Sequence, residues 1–202
     1  VLPTGVSLPT CTLCSSEQTF FALITLPSPH PWSGTSVAMF SCTACASADS
    51  LIPEMLSVPL AGARVPASFL NRYQTNFRFL AFERDSANVV PGHSDRVEFR
   101  ELLTSPEPEG SIVGRVGGEP RWVMDDEAPA MVAGAEATFL FQLHPGLEFR
   151  LIDDAPPQVE IGLDGTPEPS PDGVYRLFLG NALYLWGPAS PSGEVYALTQ
   201  ID

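Results

Sequence analysis

A mainly β protein with little helix, built from two degenerate repeated β units, is what this 202-residue sequence predicts. Three observations carry that expectation. The 21 prolines and 16 glycines are scattered through the chain, which breaks up long helices and favours short strands joined by turns. Short runs of apolar and β-branched residues alternate with those turns. All four cysteines fall in two C-x2-C pairs near the start, Cys11/Cys14 and Cys42/Cys45, the layout of a zinc-ribbon-like module with four thiolate ligands.

Taken in order, the first pair leads into Phe20 to Leu26 (FFALITL), an apolar strand. A loop punctuated by Pro and Gly (PSPHPWSGT) returns the chain through a second strand, Ser36 to Cys42, into the second pair. CASADSLIPEML suggests a short helix that Pro53 interrupts. Phe77 to Glu83 (FRFLAFE) alternates like a strand, and Arg96 to Leu103 fits either a strand or a short helix. TSPEPEGSIVGRVGGEP has the composition of a surface connection, dividing residues 1–104, which carry the metal module, from an acidic unit at 105–202. In the second unit the strand texture returns without cysteines, as Thr138 to Leu143 (TFLFQL). Gly180-Asn181 then offers a two-residue hairpin turn between Val174–Leu179 and Ala182–Trp186, and Glu194 to Ile201 supplies a last strand.

Two residues between paired cysteines let a tight turn aim both sulfurs at one point, and a second such turn completes a tetrahedron. The expected ligands are therefore Cys11, Cys14, Cys42 and Cys45, and the expected metal is zinc. Iron held as in rubredoxin suits the same thiolates, and two disulfides or free thiols are the alternative to a metal. Many knuckles carry Gly after the second Cys, where this chain has Ser15 and Ala46. Four thiolates close the coordination shell, so the metal is expected to be structural rather than catalytic. Reduced cysteines on a metal fit the cytoplasm. The sequence has no apolar run of membrane-spanning length, and its opening, VLPTGVSLPT, shows no signal-peptide pattern.

Charge is unevenly placed. Residues 1–100 hold 7 acidic side chains and 6 arginines, net −1, whereas 101–202 hold 17 and 4, net −13. All ten basic residues are arginine. So acidic a half would repel phosphate backbones, which argues against nucleic acid and for a basic protein partner; solubility is the competing reason for the charge. Trp122 beside Asp125, Asp126 and Glu127, with Asp153 and Asp154, forms the candidate partner face, where carboxylates and an aromatic anchor receive Arg or Lys. The alternative is solvated charge with Trp122 and Trp186 in the core. Signs of catalysis are few, and the enzyme alternative needs a site in a cleft between the halves. His30, His93 and His144 lie in separate loops, and there is no G-x-S-x-G elbow. GRVGGEP lacks the ending of a phosphate loop and fits a turn leading Trp122 inward.

Four blocks, VGGEPRWVMDDEAPA (Val116 to Ala130), FLFQL (Phe139 to Leu143), YRLFLGNALYLWG (Tyr175 to Gly187) and VYALTQ (Val195 to Gln200), resemble the serial blocks of YwqG-like proteins. The order of paired Cys, strand, loop, strand, paired Cys is similar to the zinc modules of the related programmed cell death protein 2 family. The resemblance covers about half the chain, and it implies a mostly β protein of repeated halves with no established catalytic activity. Eukaryotic relatives act as chaperones of a ribosomal protein, so it also fits a basic protein client. The acidic half and the metal module together suggest a protein-interaction module acting as chaperone, adaptor or immunity-like protein. The blocks of the C-terminal half carry no cysteine, so a second metal site, if it belongs to the pattern, is missing here.

Overall fold

The computed structural model describes residues 6–84, 95–106 and 112–201, and the backbone of Leu2–Pro3 and Ala87–Asn88. His93 lies outside the described residues. The chain is mainly β, as its composition requires. A short pair, β1 (Leu2–Pro3) and β6 (Ala87–Asn88), stands apart from two larger sheets. The first sheet has the order β2 (Thr19–Thr25), β3 (Thr35–Ser41), β5 (Phe77–Glu83), all antiparallel. The second runs β15 (Tyr196–Gln200), β14 (Ala182–Pro188), β9 (Ala135–Leu143), β8 (Met131–Val132), β4 (Arg64–Val65), with β7 (Gly114–Val116) also on β9. Thus β7, inside the connection read from sequence as surface loop, is hydrogen-bonded to the sheet.

Two three-stranded units share one topology. In the first, β2, β3 and β5 form a meander whose middle strand is buried throughout; in the second, β9, β14 and β15 do the same, and β14 is likewise buried at every residue. In each, the first pairing is interrupted by an irregularity, at Phe20/Ala22 and at Leu185/Trp186. One main core joins them, containing Phe21, Met39, Phe77 and Phe79 from the first unit and Phe139, Leu140, Tyr184 and Leu198 from the second. The opposite face of the first sheet has a smaller core of Ala38, Phe40 and Phe82, covered by Leu8, Phe20 and Leu80.

Each unit sends the loop between its first two strands into the other. From the first, Trp32 is completely buried and its indole N–H donates to Pro188 O at 2.9 Å. Position 187 must be glycine, because a Cβ there would overlap the indole ring. His30 accepts the Trp32 N–H at Nδ1 (2.9 Å), which leaves Nε2 as the donor to Phe139 O at 3.0 Å. From the second, Phe149 packs edge-on against Phe21, and Phe178 against Phe77, at centroid distances of 4.9 and 5.2 Å.

Three local expectations are overturned. The Gly180-Asn181 hairpin does not form: Leu177–Gly180 is a turn of 3-10 helix, and β13 (Val174–Tyr175) pairs instead with β10 (Phe149–Arg150). Phe178 and Leu179 there take left-handed φ of 50° and 63°, a conformation that costs non-glycine residues about 1–3 kcal/mol each and that burial of Phe178 holds in place. Arg96–Leu103 is neither strand nor helix; only Val97 forms a bridge, to Leu151. The helix expected after the second knuckle shrinks to a 3-10 turn at Ala48–Ser50, Pro53 following closely.

The helix that does form, α1 (Ala67–Tyr73), was not expected from the sequence. Phe69, Leu70 and Tyr73 fall on one buried face at the i, i+1, i+4 spacing of an amphipathic turn. Tyr73 pins it to β15, donating to Val195 O at 2.8 Å and accepting from Ala197 N at 3.0 Å, and burial raises its phenol pKa. A last hairpin, β11 (Val159–Ile161) with β12 (Pro167–Pro169), touches the second knuckle through Val159 N–H to Thr43 O. Prolines 167 and 169 on its outer strand remove donors that would invite further pairing.

Candidate metal centre

The strand register brings the four cysteines together. Thr19, the first residue of β2, lies opposite Ser41, the last of β3, so the knuckle preceding one strand and the knuckle following the other leave the same end of the sheet. Cys11 N–H donates to Ser16 O and Ser15 N–H to Cys11 O, closing the first turn. Ser15 holds φ of 62°, which explains why glycine is common at that place in such knuckles. A corner after α1 braces both turns. Thr12 donates through its backbone N–H and its hydroxyl to Thr75 O, and Cys42 N–H donates to Asn76 O at 2.7 Å. The Asn76 amide in turn donates to Ser50 O.

The sulfurs lie 3.6 Å apart for Cys14–Cys42 and Cys42–Cys45 and 3.8 Å for Cys11–Cys45, with all four within 4.8 Å of one another. Four sulfurs about 2.3 Å from one zinc at tetrahedral corners sit about 3.8 Å apart, whereas a disulfide needs about 2.05 Å. The cysteines are thus free thiols close enough together to share one metal ion, and the donor set suits a thiophilic one. The site is lopsided: Cys11 and Cys42 are buried, while Cys14 is exposed and Cys45 partly so.

Electrostatics differ accordingly. Burial by itself would push the Cys14 thiol up, but hydrogen bonds from the Ser16 hydroxyl and N–H, then from Cys45 and Cys42, bring it down to about 6. Burial pushes Cys42 up to about 11 and raises Cys45 further.

The candidate partner face is built differently. Residues Arg121 to Glu127 form a strap gripped by side chains of three neighbouring strands. Gln142 of β9 accepts the Arg121 N–H and donates to Arg121 O. The Tyr184 hydroxyl on β14 donates to that carbonyl and accepts the Val123 N–H at 3.0 Å. Gln200 of β15 accepts the Val123 and Met124 N–H groups and donates to Asp125 O and to the Glu127 carboxylate. Trp122 stacks on Tyr184 at 4.6 Å and lies parallel to the core residue Trp186 at 6.3 Å. Asp125, Asp126 and Met124 are left exposed. Asp153 and Asp154 stand on a separate exposed turn before β11.

Sequence reasoning found the four cysteines that come together and missed Thr75, Asn76, Gln142, Tyr184 and Gln200. Two of these carried a signal: Gln142 interrupts the apolar run Phe139 to Leu143 and Gln200 ends β15, and both prove buried and bonded on each side of their amides. Of the histidines, His30 is spent on packing the two units together, and half-buried His144 contacts Ile112 O. Among the described residues no helix is long and apolar enough to cross a membrane. Comparison with protein-family models, with curated proteins and with solved structures finds no match to this chain.

Proposed function

We propose that this chain is a non-enzymatic, zinc-stabilised interaction module of the cytoplasm that binds a basic protein. The observation that carries this reading is the strap: two buried glutamines and a tyrosine fix its backbone so that Asp125 and Asp126 face solvent beside the exposed Met124. A display of carboxylates around an apolar side chain on a fixed backbone suits an Arg- or Lys-bearing surface, because the strap's backbone then loses little conformational freedom on binding. The net −13 of residues 101–202 adds steering toward a cation. The metal centre acts as a clasp, since four thiolates leave no position for substrate. The resemblance to YwqG-like blocks fits the same reading, as its tryptophan and its two glutamines are the residues that build the strap.

The test pairs the full chain with a variant carrying Asp125→Asn, Asp126→Asn and Glu127→Gln, each used to capture proteins from host lysate over a salt series. A basic protein retained by the parent, weakened by salt and lost from the variant is the expected outcome. Equal retention by both, or none by either, defeats the proposal. Elemental analysis should find one zinc per chain in a colourless protein; a coloured, iron-bearing protein would replace zinc with the redox alternative.

A further inference from the structure

The thiolate cluster has one open side and a fixed pattern of neighbours. In both knuckles the first cysteine is buried and the second faces outward, and Cys14 is the exposed one of the four. Its sulfur lies 3.6 Å from that of Cys42 on the other knuckle, as near as Cys42 lies to Cys45 within its own. Once these two are joined, the remaining pair is Cys11 and Cys45, which stand 3.8 Å apart and also belong to different knuckles. Each pair must close by less than 2 Å to reach the disulfide length of about 2.05 Å. The chain thus offers two crossed links between its knuckles in the order that an oxidant from solvent would make them.

We propose that Cys14 is an oxidation site, and that a peroxide acting there replaces the metal clasp with disulfides joining Cys14 to Cys42 and then Cys11 to Cys45. The inference rests on the metal-holding reading above. In the first step the Cys14 thiolate attacks one oxygen of hydrogen peroxide, the O–O bond breaks, and Cys14 becomes a sulfenic acid while hydroxide leaves and takes a proton to become water. In the second the Cys42 thiolate attacks the sulfenic sulfur, the S–O bond breaks, and the leaving hydroxide takes a proton from solvent to become a second water. Two thiolates, one peroxide and two protons from solvent give one disulfide and two waters. Two thiolates cannot hold the metal as four did, so it departs, and a second peroxide oxidises Cys11 and Cys45 by the same steps.

The consequence is a clasp that closes in either redox state. A Cys14–Cys42 link spans 28 residues, long enough for the loss of chain entropy in the unfolded state to stabilise the module substantially. The backbone bonds from Thr12 to Thr75 and from Cys42 to Asn76 hold the knuckles in place while the sulfurs exchange partners. A reducing compartment would keep the metal form, and an oxidising one the covalent form.

The sequence supplies a clean assay. The first arginine is Arg64, so trypsin leaves all four cysteines on one fragment. A protease that cuts after glutamate cleaves at Glu17, between the two pairs. The metal-loaded full chain is titrated with hydrogen peroxide, free thiols are alkylated, and released metal is read with a colorimetric chelator. The expected result is loss of the metal with the first equivalent and Cys14 and Cys42 as the first cysteines protected from alkylation. The fragments 1–17 and 18–54 then run together until reductant is added. The oxidised, metal-free chain should melt roughly 5 °C or more above the reduced, metal-free chain. Fragments that separate without reductant would mean links within the knuckles and would overturn the proposal, as would a Cys14 that stays alkylatable while its neighbours oxidise. Crossed links in a chain that never carried metal would uphold the oxidation site and overturn the metal reading instead.

Discussion

The two units close the same end of the same topology with different chemistry. In the first, the start of β2 and the end of β3 continue into knuckles whose sulfurs meet at one point. In the second, the corresponding end, where Ala137 of β9 faces Pro188 of β14, has no cysteine and is filled by Trp32 from the opposite unit, its indole laid over Gly187 and bonded to Pro188. A sheet end needs something to hold its emerging chain, and thiolates or an aromatic side chain both serve. They differ in what can undo them. On the proposed reading the thiolate end depends on metal supply and acidity, whereas the tryptophan end depends on burial and one hydrogen bond.

Removing the metal should test that contrast with the largest effect, because structural zinc in small sites contributes on the order of 10 kcal/mol at neutral pH. A strong chelator is expected to speed amide exchange at Thr12 and Cys42 by about a hundredfold or more, given how steeply opening depends on free energy, while Val123 and Met124 on the strap keep their protection. Equal loss in both places would show one closure and not two. Acidity should act on the same end: with Cys42 raised to about 11 and Cys45 higher, both thiols carry protons at neutral pH in the metal-free state. Metal binding must expel those protons, so affinity rises with pH through the neutral range and metal is released on acidification, measurable by calorimetry in buffers of different ionisation enthalpy.

Trp32→Ala comes next, at about 3–5 kcal/mol for emptying a fully buried site. Denaturant titration with and without metal should give the same loss, since the plug sits at the other end. Gln200→Ala should cost about 1–3 kcal/mol, because the Val123 and Met124 N–H groups lose their acceptor, and the strap's exchange protection should fall with it. The smallest effect has the opposite sign. Leu179→Gly should raise stability by up to about 1 kcal/mol, as glycine accepts a φ of 63° without strain and the leucine is half exposed.

Much of this was legible in the sequence where residue pattern and local structure agree. FFALITL, FRFLAFE and TFLFQL declared themselves as strands by their apolar runs, and the C-x2-C pairs marked the cysteines that come together because a turn of that length converges two sulfurs. The Gly180-Asn181 hairpin failed because tertiary packing outweighed turn propensity: Phe178 is drawn into the ring cluster of Phe77 and Phe79, and the backbone takes left-handed angles to put it there. α1 escaped notice because Ala67–Tyr73 is too short for a periodicity to stand out. The strap was invisible for a different reason. Its grip comes from Gln142, Tyr184 and Gln200 on three strands that become neighbours only when the sheet assembles.

The exchange of loops between the units bears on how the chain reaches this structure. Trp32 finds its place only after β14 exists, far downstream in the sequence, and Phe178 finds its place only against β5. Neither unit can finish before the other has begun, so the chain emerging from synthesis must wait with aromatic side chains uncovered. Such long-range closure slows folding and makes it cooperative. Residues 1–104 and 105–202, produced as separate polypeptides, should therefore be poorly soluble apart and recover each other on mixing, each supplying the side chains that the other's sheet lacks.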